Sequence, residues 1–328
     1  MKTPLRFALV LLAGLALAGG NAACSADPAS PPRKKVLFFS KSSGYEHDAI
    51  KLTQKNGKPG YAFAPLRELG EKNNIEFTFS KDGSLFTPEY LAQFDAFCFY
   101  STGDLTLARN DAKFGDDHPP MTPAGKAALL AAIEHGKGFV GIHCAADTFH
   151  SPGNKDDDVP ARYVGDGDKA DAYIRMLGGE FIKHNAQQKA PQRVVDAKFP
   201  GIGAVPADFG PQEEWYSLKN FSPDLHVLLV QETANMKGAA YERPPFPSTW
   251  ARMHGSGRVF YTSMGHREDI WTNPVFQAVL TGGLDWALRR VDADVTPNLD
   301  QVTPQANMLP KFVPPPLRAP PPAPAAKQ

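Results

Sequence analysis

Histidines that could transfer protons or bind a ligand follow several apolar segments of the sequence. His47, His143 and His266 each come after a segment predicted to be a strand, and His184 ends a short extended run. A single histidine in such a position more often caps backbone groups or lies at the surface. The carboxyl ends of parallel strands open on one edge of a sheet, so several such histidines together predict a shared polar pocket, with His47 at its rim.

The segment Gly141-Ile142-His143-Cys144-Ala145 has the spacing of a nucleophile elbow, in which small neighbours allow a sharp turn to lift one side chain out of the sheet. The central residue is a histidine, not a serine or a cysteine. Cys144 is one position off and is expected to point elsewhere. The competing interpretation is that His143 only caps neighbouring backbone groups.

Carboxylates accompany these histidines in the sequence. Asp147 lies four residues after His143 and could orient its imidazole, if a helix follows the elbow directly. Glu214 is one of two adjacent carboxylates beside two aromatic residues. Three histidines and a carboxylate can also bind a transition metal. Because no His-x-His or His-x-x-x-His spacing is present, the metal ligands would have to come from separate loops.

The elements that must position these residues alternate between strands and helices. Apolar runs predict strands at 36–40, 75–79, 96–100, 138–142, 227–230, 249–253 and 258–262. Helices are predicted at 61–73, from 123 onward, near 168–177 and at 273–289, the last weakened at Gly282-Gly283. This alternation predicts an α/β fold with a doubly wound, mostly parallel sheet and helices on both faces.

The two ends of the chain differ in composition from its centre. Residues 1–23 combine an early basic charge, a short apolar run and small residues, and this pattern predicts a secretory signal peptide. The apolar run, residues 7–18, is too short for a membrane span. Cleavage would leave Cys24 first, where bacterial lipoproteins carry their lipid, although Asn21 stands in place of the usual leucine. Residues 24–33 are predicted to be a linker, 34–290 one domain, and the Pro- and Ala-rich residues 291–328 a disordered tail.

Charge and cysteine usage narrow the possible functions. Lysine plus arginine and aspartate plus glutamate number 35 each, so nucleic acid is not an expected partner. Cys98 lies in a predicted strand and Cys144 just past the end of its probable neighbour, with an offset of about 10 Å, which is too far for a disulfide. Both are therefore expected to be free thiols.

Several motifs together resemble the ThuA-like (trehalose utilisation) family. They are SSGYEHDAI around His47, GKGFVGIHCAADTF around His143, YIRMLGGEFIKH ending at His184, EEWYSL around Glu214, and STWARMHGSGRVFYTSMGHREDIW around Trp250 and His266. The resemblance implies a flavodoxin-like sheet similar to that of class I glutamine amidotransferases, with a polar pocket at its carboxyl edge. His143 stands where those enzymes carry cysteine, which argues against glutamine hydrolysis. Members of the family are associated with trehalose and other glycosides, including 3-keto sugars.

The resemblance implies an enzyme whose partner is a small carbohydrate, and the predicted signal peptide adds that it is exported, periplasmic or envelope-associated. His143 or His266 would be the acid or base, with Asp147 and Glu214 orienting it or holding sugar hydroxyls. His47 and His184 would bind substrate, and Trp250 would stack on the sugar. The alternatives are a carbohydrate-binding protein without turnover and a metal-dependent sugar enzyme. No cofactor is expected apart from a metal held by the pocket histidines.

Overall fold

The computed structural model describes residues 32–108, 115–153 and 162–309 of the 328-residue chain. Its strands are β1 (Lys34–Phe39), β2 (Ile75–Ser80), β3 (Ala96–Phe99), β4 (Gly138–Ile142), β5 (Glu180–His184), β6 (Gln188–Lys189), β7 (Gln192–Val194), β8 (Gln212–Glu213), β9 (Tyr216–Lys219), β10 (His226–Gln231), β11 (Phe246–His254) and β12 (Gly257–Thr262). Its α-helices are α1 (Phe63–Lys72), α2 (Pro88–Ala92), α3 (Pro123–Glu134), α4 (Ala172–Leu177), α5 (Glu268–Trp271), α6 (Pro274–Ala287) and α7 (Leu299–Val302).

The main sheet has eight strands in the order β2-β1-β3-β4-β12-β11-β10-β7. From β2 to β12 each strand is parallel to its neighbour, whereas β11, β10 and β7 continue the sheet in antiparallel fashion. The predicted α/β fold with a mostly parallel sheet is confirmed. Two further pairs, β5 with β9 and β6 with β8, form small two-stranded sheets.

The unit around β4 follows directly from its sequence. Thr122 begins α3 by accepting a hydrogen bond from the Gly125 backbone N–H at 2.9 Å, and Pro123 occupies the first turn. Gly136, with φ of +117°, allows the chain to leave the helix. All five residues of β4 are buried, as expected of a strand covered on both faces. The strand ends where the elbow begins.

The predicted weak point of the last long helix is a packing feature. Helix α6 runs unbroken through Gly282 and Gly283. A Cβ atom on Gly282 would lie 2.0 Å from the Pro200 carbonyl oxygen, and one on Gly283 would lie 2.5 Å from the Phe260 ring. The missing side chains allow the helix to pack this closely against its neighbours, which offsets their low helix propensity.

The predicted disordered tail from residue 291 is wrong for residues 291–309, which pack on the domain and include α7. Leu299 and Ala306 are buried in the main core. The Asn298 side chain accepts from the backbone N–H of Val227 at 2.7 Å, and the Asn307 side chain accepts from that of Phe221 at 3.0 Å. These bonds to backbone groups, rather than a large apolar face, attach the segment.

Other predictions concern the chain ends and the thiols. The predicted signal peptide 1–23, Cys24 and nearly all of the linker lie outside the described residues, as does the tail from 310. No helix in the part of the chain that the structure describes is long and apolar enough to cross a membrane. Cys98 and Cys144 are buried and free, and Cys98 pairs in register with Val140, four residues before Cys144.

Candidate functional site

The elbow after β4 holds His143 in a left-handed conformation, with φ of +45°. Non-glycine residues seldom adopt this conformation, and it is often found at functional sites. The side chain is fully buried, and its Nδ1 lies 3.0 Å from the Ser263 carbonyl oxygen. Because a carbonyl oxygen can only accept, Nδ1 carries the proton of the neutral ring. Nε2 therefore presents a lone pair to the site.

Four histidines meet at the carboxylate of Glu214, which lies between β8 and β9. The distances are 3.1 Å from Glu214 Oε2 to His266 Nδ1, 3.6 Å to His143 Nε2 and 3.9 Å to His47 Nε2, and 3.3 Å from Glu214 Oε1 to His184 Nδ1. We call these five residues the histidine cluster. They come from loops and strand ends far apart in the sequence, and the predicted convergence of these residues is present in the structure.

Burial divides the histidine cluster into an inner and an outer part. His47 and His143 are buried, so His47 does not lie at the rim as predicted. The His184 side chain is 42% exposed and is the member that faces solvent. The Tyr216 ring lies between the two parts, with its centroid 4.1 Å from that of His143 and 6.0 Å from that of His184.

Three nitrogen atoms of the inner part have no hydrogen-bond partner among the described residues. They are Nδ1 of His47, Nε2 of His143 and Nδ1 of His266. The last two lie close to Glu214, but without the geometry of a hydrogen bond. Buried polar atoms are rarely left in this state unless they serve a ligand or a reaction. Ligand atoms of His47, His143, His266 and Glu214 all lie within 4.8 Å of one another, which makes these four the candidates for holding a metal.

The charges of the histidine cluster are set by burial and by mutual contact. Burial lowers the pKa of His143 to about 3, which outweighs the attraction of Glu214 and keeps the ring neutral. Burial also lowers the pKa of His47. For Glu214, burial raises the pKa, but the contacts with the inner histidines outweigh it and hold the pKa well below its ordinary value. Burial also lowers the pKa of His266, but contact with Glu214 outweighs it and raises that pKa above its ordinary value. The site therefore combines an ionised carboxylate with neutral imidazoles at His47 and His143.

Glu213 is a supporting residue for which the sequence analysis named no role. Its Oε1 accepts from the backbone N–H groups of Gly265 at 3.1 Å and Arg267 at 3.3 Å, on either side of His266. Its Oε2 accepts from the backbone N–H of Glu214 at 2.9 Å. Burial raises the pKa of Glu213 to about 7. One side chain thus fixes the backbone of two cluster residues, and the adjacent carboxylates in the sequence were the available signal.

A buried ion network positions the segment that carries His47. The Lys81 ammonium donates to Glu46 at 2.9 Å, to the Ser40 carbonyl at 2.7 Å and to Asp116 at 3.2 Å. Asp116 also accepts from the Ser42 backbone N–H at 2.7 Å. Every charge in this network has a partner, so it stabilises the loop after β1 rather than offering a second reactive site.

Two predicted site residues lie elsewhere. Asp147 Oδ1 is 2.5 Å from Nε2 of His150 and does not contact His143. The reason is that residues 143–147 form a 3₁₀-helix, in which positions four apart do not share a face. Trp250 is fully buried, and its indole N–H donates to the Leu177 carbonyl at 2.8 Å, so it cannot stack on a sugar. Its strand, β11, lies inside the sheet, and Trp250 packs there against the Tyr261 ring.

The sequence model of a family described as ThuA, trehalose utilisation, matches residues 35–287. The chain belongs to the ThuA family. The matched range contains the whole histidine cluster and ends before α7, so the packed segment 291–309 lies beyond the ThuA match. No curated protein sequence matches the chain significantly.

Solved structures agree with the ThuA assignment. A protein of Bacteroides uniformis described as ThuA-like is 20% identical with a TM-score of 0.54, and covers 84% of this chain and 99% of its own. A protein of Parabacteroides merdae described as ThuA-like is 14% identical with a TM-score of 0.51, and covers 86% of this chain and 98% of its own. At these identities the similarity shows the fold alone, which is that of the class I glutamine amidotransferases. In this ThuA domain the central residue of the elbow is His143.

Proposed function

We propose that this protein is an exported enzyme that acts on a carbohydrate, a glycoside or an oxidised (3-keto) sugar, at the histidine cluster. The observation that carries the proposal is the meeting of four histidines on the carboxylate of Glu214. Two of the nitrogens that face it, Nε2 of His143 and Nδ1 of His266, are buried and have no hydrogen-bond partner among the described residues. A structural network would satisfy those atoms. The trehalose-utilisation family supports a sugar as the substrate class.

The outer part of the cluster is suited to proton transfer. The exposed His184 has its Nδ1 3.3 Å from Glu214 Oε1 and 3.1 Å from the Asn185 carbonyl oxygen, so a substrate could reach its imidazole while these contacts hold the ring in place. In a 3-keto glycoside the carbonyl acidifies the hydrogen on the adjacent C2. Removal of that proton by a base, with protonation of the C1 oxygen substituent by an acid, would break the glycosidic bond, release the substituent as an alcohol and leave a double bond between C1 and C2. We assign removal of the C2 proton to His184.

The test is a screen of glucosides and of their 3-keto derivatives for product formation. Substitution of His184 by Gln should lower the rate about 10²–10⁴-fold, because a positioned acid or base is lost. The exposed His135 at the end of α3 provides the control, since His135→Gln should turn over substrate at the wild-type rate. Binding of a sugar without any product would instead identify a carbohydrate-binding protein. An unchanged rate in His184→Gln would remove His184 from the mechanism.

Export is part of the proposal and rests on the composition of residues 1–23. N-terminal analysis of the mature protein should begin at or near Cys24, and mass analysis would then show whether that cysteine carries lipid. Recovery of the protein from the cytoplasm with Met1 intact would contradict export. The pocket chemistry does not depend on this outcome.

A further inference from the structure

Three histidines of the inner part approach one carboxylate oxygen at distances typical of neighbouring ligands of one ion, and the four ligand atoms all lie within 4.8 Å of one another. Atoms that bind a metal at about 2.0–2.2 Å from its centre lie roughly 3–4 Å from one another. The distances from Glu214 Oε2 to His266, His143 and His47 are 3.1, 3.6 and 3.9 Å. Direct hydrogen bonds between these groups would be shorter and better aligned for His143 and His47, at about 2.7–3.0 Å.

The orientation of His143 gives an independent reason. Its Nδ1 donates to the Ser263 carbonyl, which is the outer contact that metal-binding histidines usually make. The Nε2 lone pair then faces Glu214, which is itself only an acceptor when ionised. Two acceptors 3.6 Å apart in a buried site repel each other unless a cation lies between them.

His266 is the inner histidine closest to Glu214, and it also faces the carboxylate with an unpaired nitrogen. Nδ1 of His266 lies 3.1 Å from Glu214 Oε2 and still has no hydrogen-bond partner among the residues described. The side chain of His266 is only 19% exposed, so water does not readily compensate. Its backbone is fixed on both sides by the bonds to Glu213. The protein therefore holds these unpaired atoms in place rather than letting them rotate toward solvent.

We propose that His47, His143, His266 and Glu214 bind one divalent transition-metal ion, and that His184 is not a ligand. Three imidazoles favour zinc, iron or a related metal over magnesium or calcium, which prefer oxygen ligands. His184 contacts the other oxygen of Glu214 and is partly exposed, so it stays available to the substrate. This inference concerns metal binding alone and does not depend on the sugar reaction. If both hold, the ion would polarise a sugar oxygen while His184 transfers the proton.

The experiment measures the metal content of the purified protein and then titrates chelator-treated protein with Zn²⁺, Mn²⁺, Co²⁺ and Mg²⁺ by calorimetry. We expect one tight transition-metal site per chain in the wild type and little affinity for Mg²⁺. Glu214→Gln and His266→Ala should each weaken binding by more than about 100-fold, since loss of an outer-shell partner alone typically costs 10–100-fold. His184→Gln should weaken binding less than either ligand variant, because His184 only contacts the other oxygen of Glu214. The surface control His135→Ala should bind as the wild type does.

The inference is overturned if folded wild-type protein shows no stoichiometric site, or if both ligand variants bind as tightly as His135→Ala. Melting curves establish that each variant is folded, and the wild-type titration is decisive even if a variant is not. The Co²⁺ absorption spectrum gives a second readout, because nitrogen and oxygen ligands should produce a d–d band that Glu214→Gln alters. Metal binding without sugar turnover would refute only the proposed function. Sugar turnover by a wild-type protein that shows no stoichiometric metal site would refute only the metal site.

Discussion

The molecule has two groups of histidines and carboxylates that differ in how their polar atoms are paired, and a member of each lies at or just after the elbow, His143 in one and Asp147 in the other. In the histidine cluster, inner nitrogens approach Glu214 without hydrogen bonds. A few residues after the elbow, His150 lies between Asp147 at 2.5 Å and Glu180 at 3.3 Å, and its ring stacks on Tyr163 at 3.7 Å. Both ring nitrogens of His150 therefore have acceptors.

The carboxylates show the same difference. Glu180 is fully buried and accepts from the Ser151 backbone N–H, the Ser151 hydroxyl and the Asn220 amide at 2.7, 2.9 and 2.6 Å. We call His150, Asp147 and Glu180 the paired set. A satisfied network of this kind holds loops together, whereas an unsatisfied one is maintained at some expense to stability. The difference in pairing, rather than residue type, separates a structural site from a functional one.

The largest expected effect is on turnover when His143 is replaced. Asparagine is the appropriate substitute because it tolerates the positive φ at the elbow. His143→Asn should lower turnover about 10²–10⁴-fold or more, with a small change in melting temperature. Steady-state kinetics and a thermal melt of the same preparation check this. Unchanged turnover with the best substrate found would remove His143 from the site.

Replacement of Glu180 in the paired set should mainly lower stability, whereas replacement of His143 should mainly lower turnover. Glu180→Ala removes the acceptor that Ser151, Asn220 and one ring nitrogen of His150 share, and should lower the free energy of unfolding by about 3–5 kcal/mol. The exposed pair of Glu232 with Arg193 is the control, since Glu232→Ala should cost less than about 1 kcal/mol. Urea unfolding measures both. A Glu180→Ala protein that is stable but inactive would place the paired set in the active site.

The supporting role of Glu213 predicts an intermediate loss of turnover or of affinity for metal. Glu213→Gln keeps the size of the side chain but replaces one carboxylate oxygen by an amide NH₂ group. This group cannot accept a hydrogen bond from the backbone N–H groups that now donate to Glu213. Turnover, or affinity for metal, should fall about 10–100-fold, as is typical when a residue that orients a ligand is lost. The loss should appear in kcat more than in KM. A change confined to stability would show that Glu213 only supports the fold.

The smallest effect is a dependence of stability on pH from His150. Burial lowers the pKa of His150, but contacts with Asp147 and Glu180 outweigh it and raise the pKa to about 9. Because the folded-state value lies above the ordinary 6.5, the stabilisation is complete below pH 6.5 and is lost as pH rises through 9. It amounts to at most about 3 kcal/mol. The melting temperature of the wild type should fall over this range more steeply than that of His150→Gln, and equal slopes would contradict the assignment.

The sequence predicted the parallel half of the fold because its strands are long apolar runs. Strand β4 and the elbow at His143 were predictable from five residues and their small neighbours. Strands β6 and β8 have two residues each and carry no periodic pattern, so nothing in the sequence indicated how Glu213 and Glu214 are held. Their positions depend on contacts made only in the folded protein.

The errors of prediction also have physical causes. Asp147 was assigned to His143 by helical spacing, but the chain forms a 3₁₀-helix there. Trp250 was assigned to the sugar by residue type, although a strand pattern does not reveal what covers its faces. The segment 291–309 is held by asparagine side chains that pair with backbone groups, which composition does not register.

The central claim is that the unpaired atoms around Glu214 serve a ligand, whereas the hydrogen-bonded atoms of the paired set do not. The most direct measurement is the shift in melting temperature when a transition metal is added to chelator-treated protein. At 100 times its dissociation constant, a specific ion should stabilise the wild type by about 2.7 kcal/mol, roughly 5–10 °C. The shift should vanish in Glu214→Gln and persist in Glu180→Gln, although the latter melts at a lower temperature. An equal shift in all three proteins, or none in the wild type, would contradict the account.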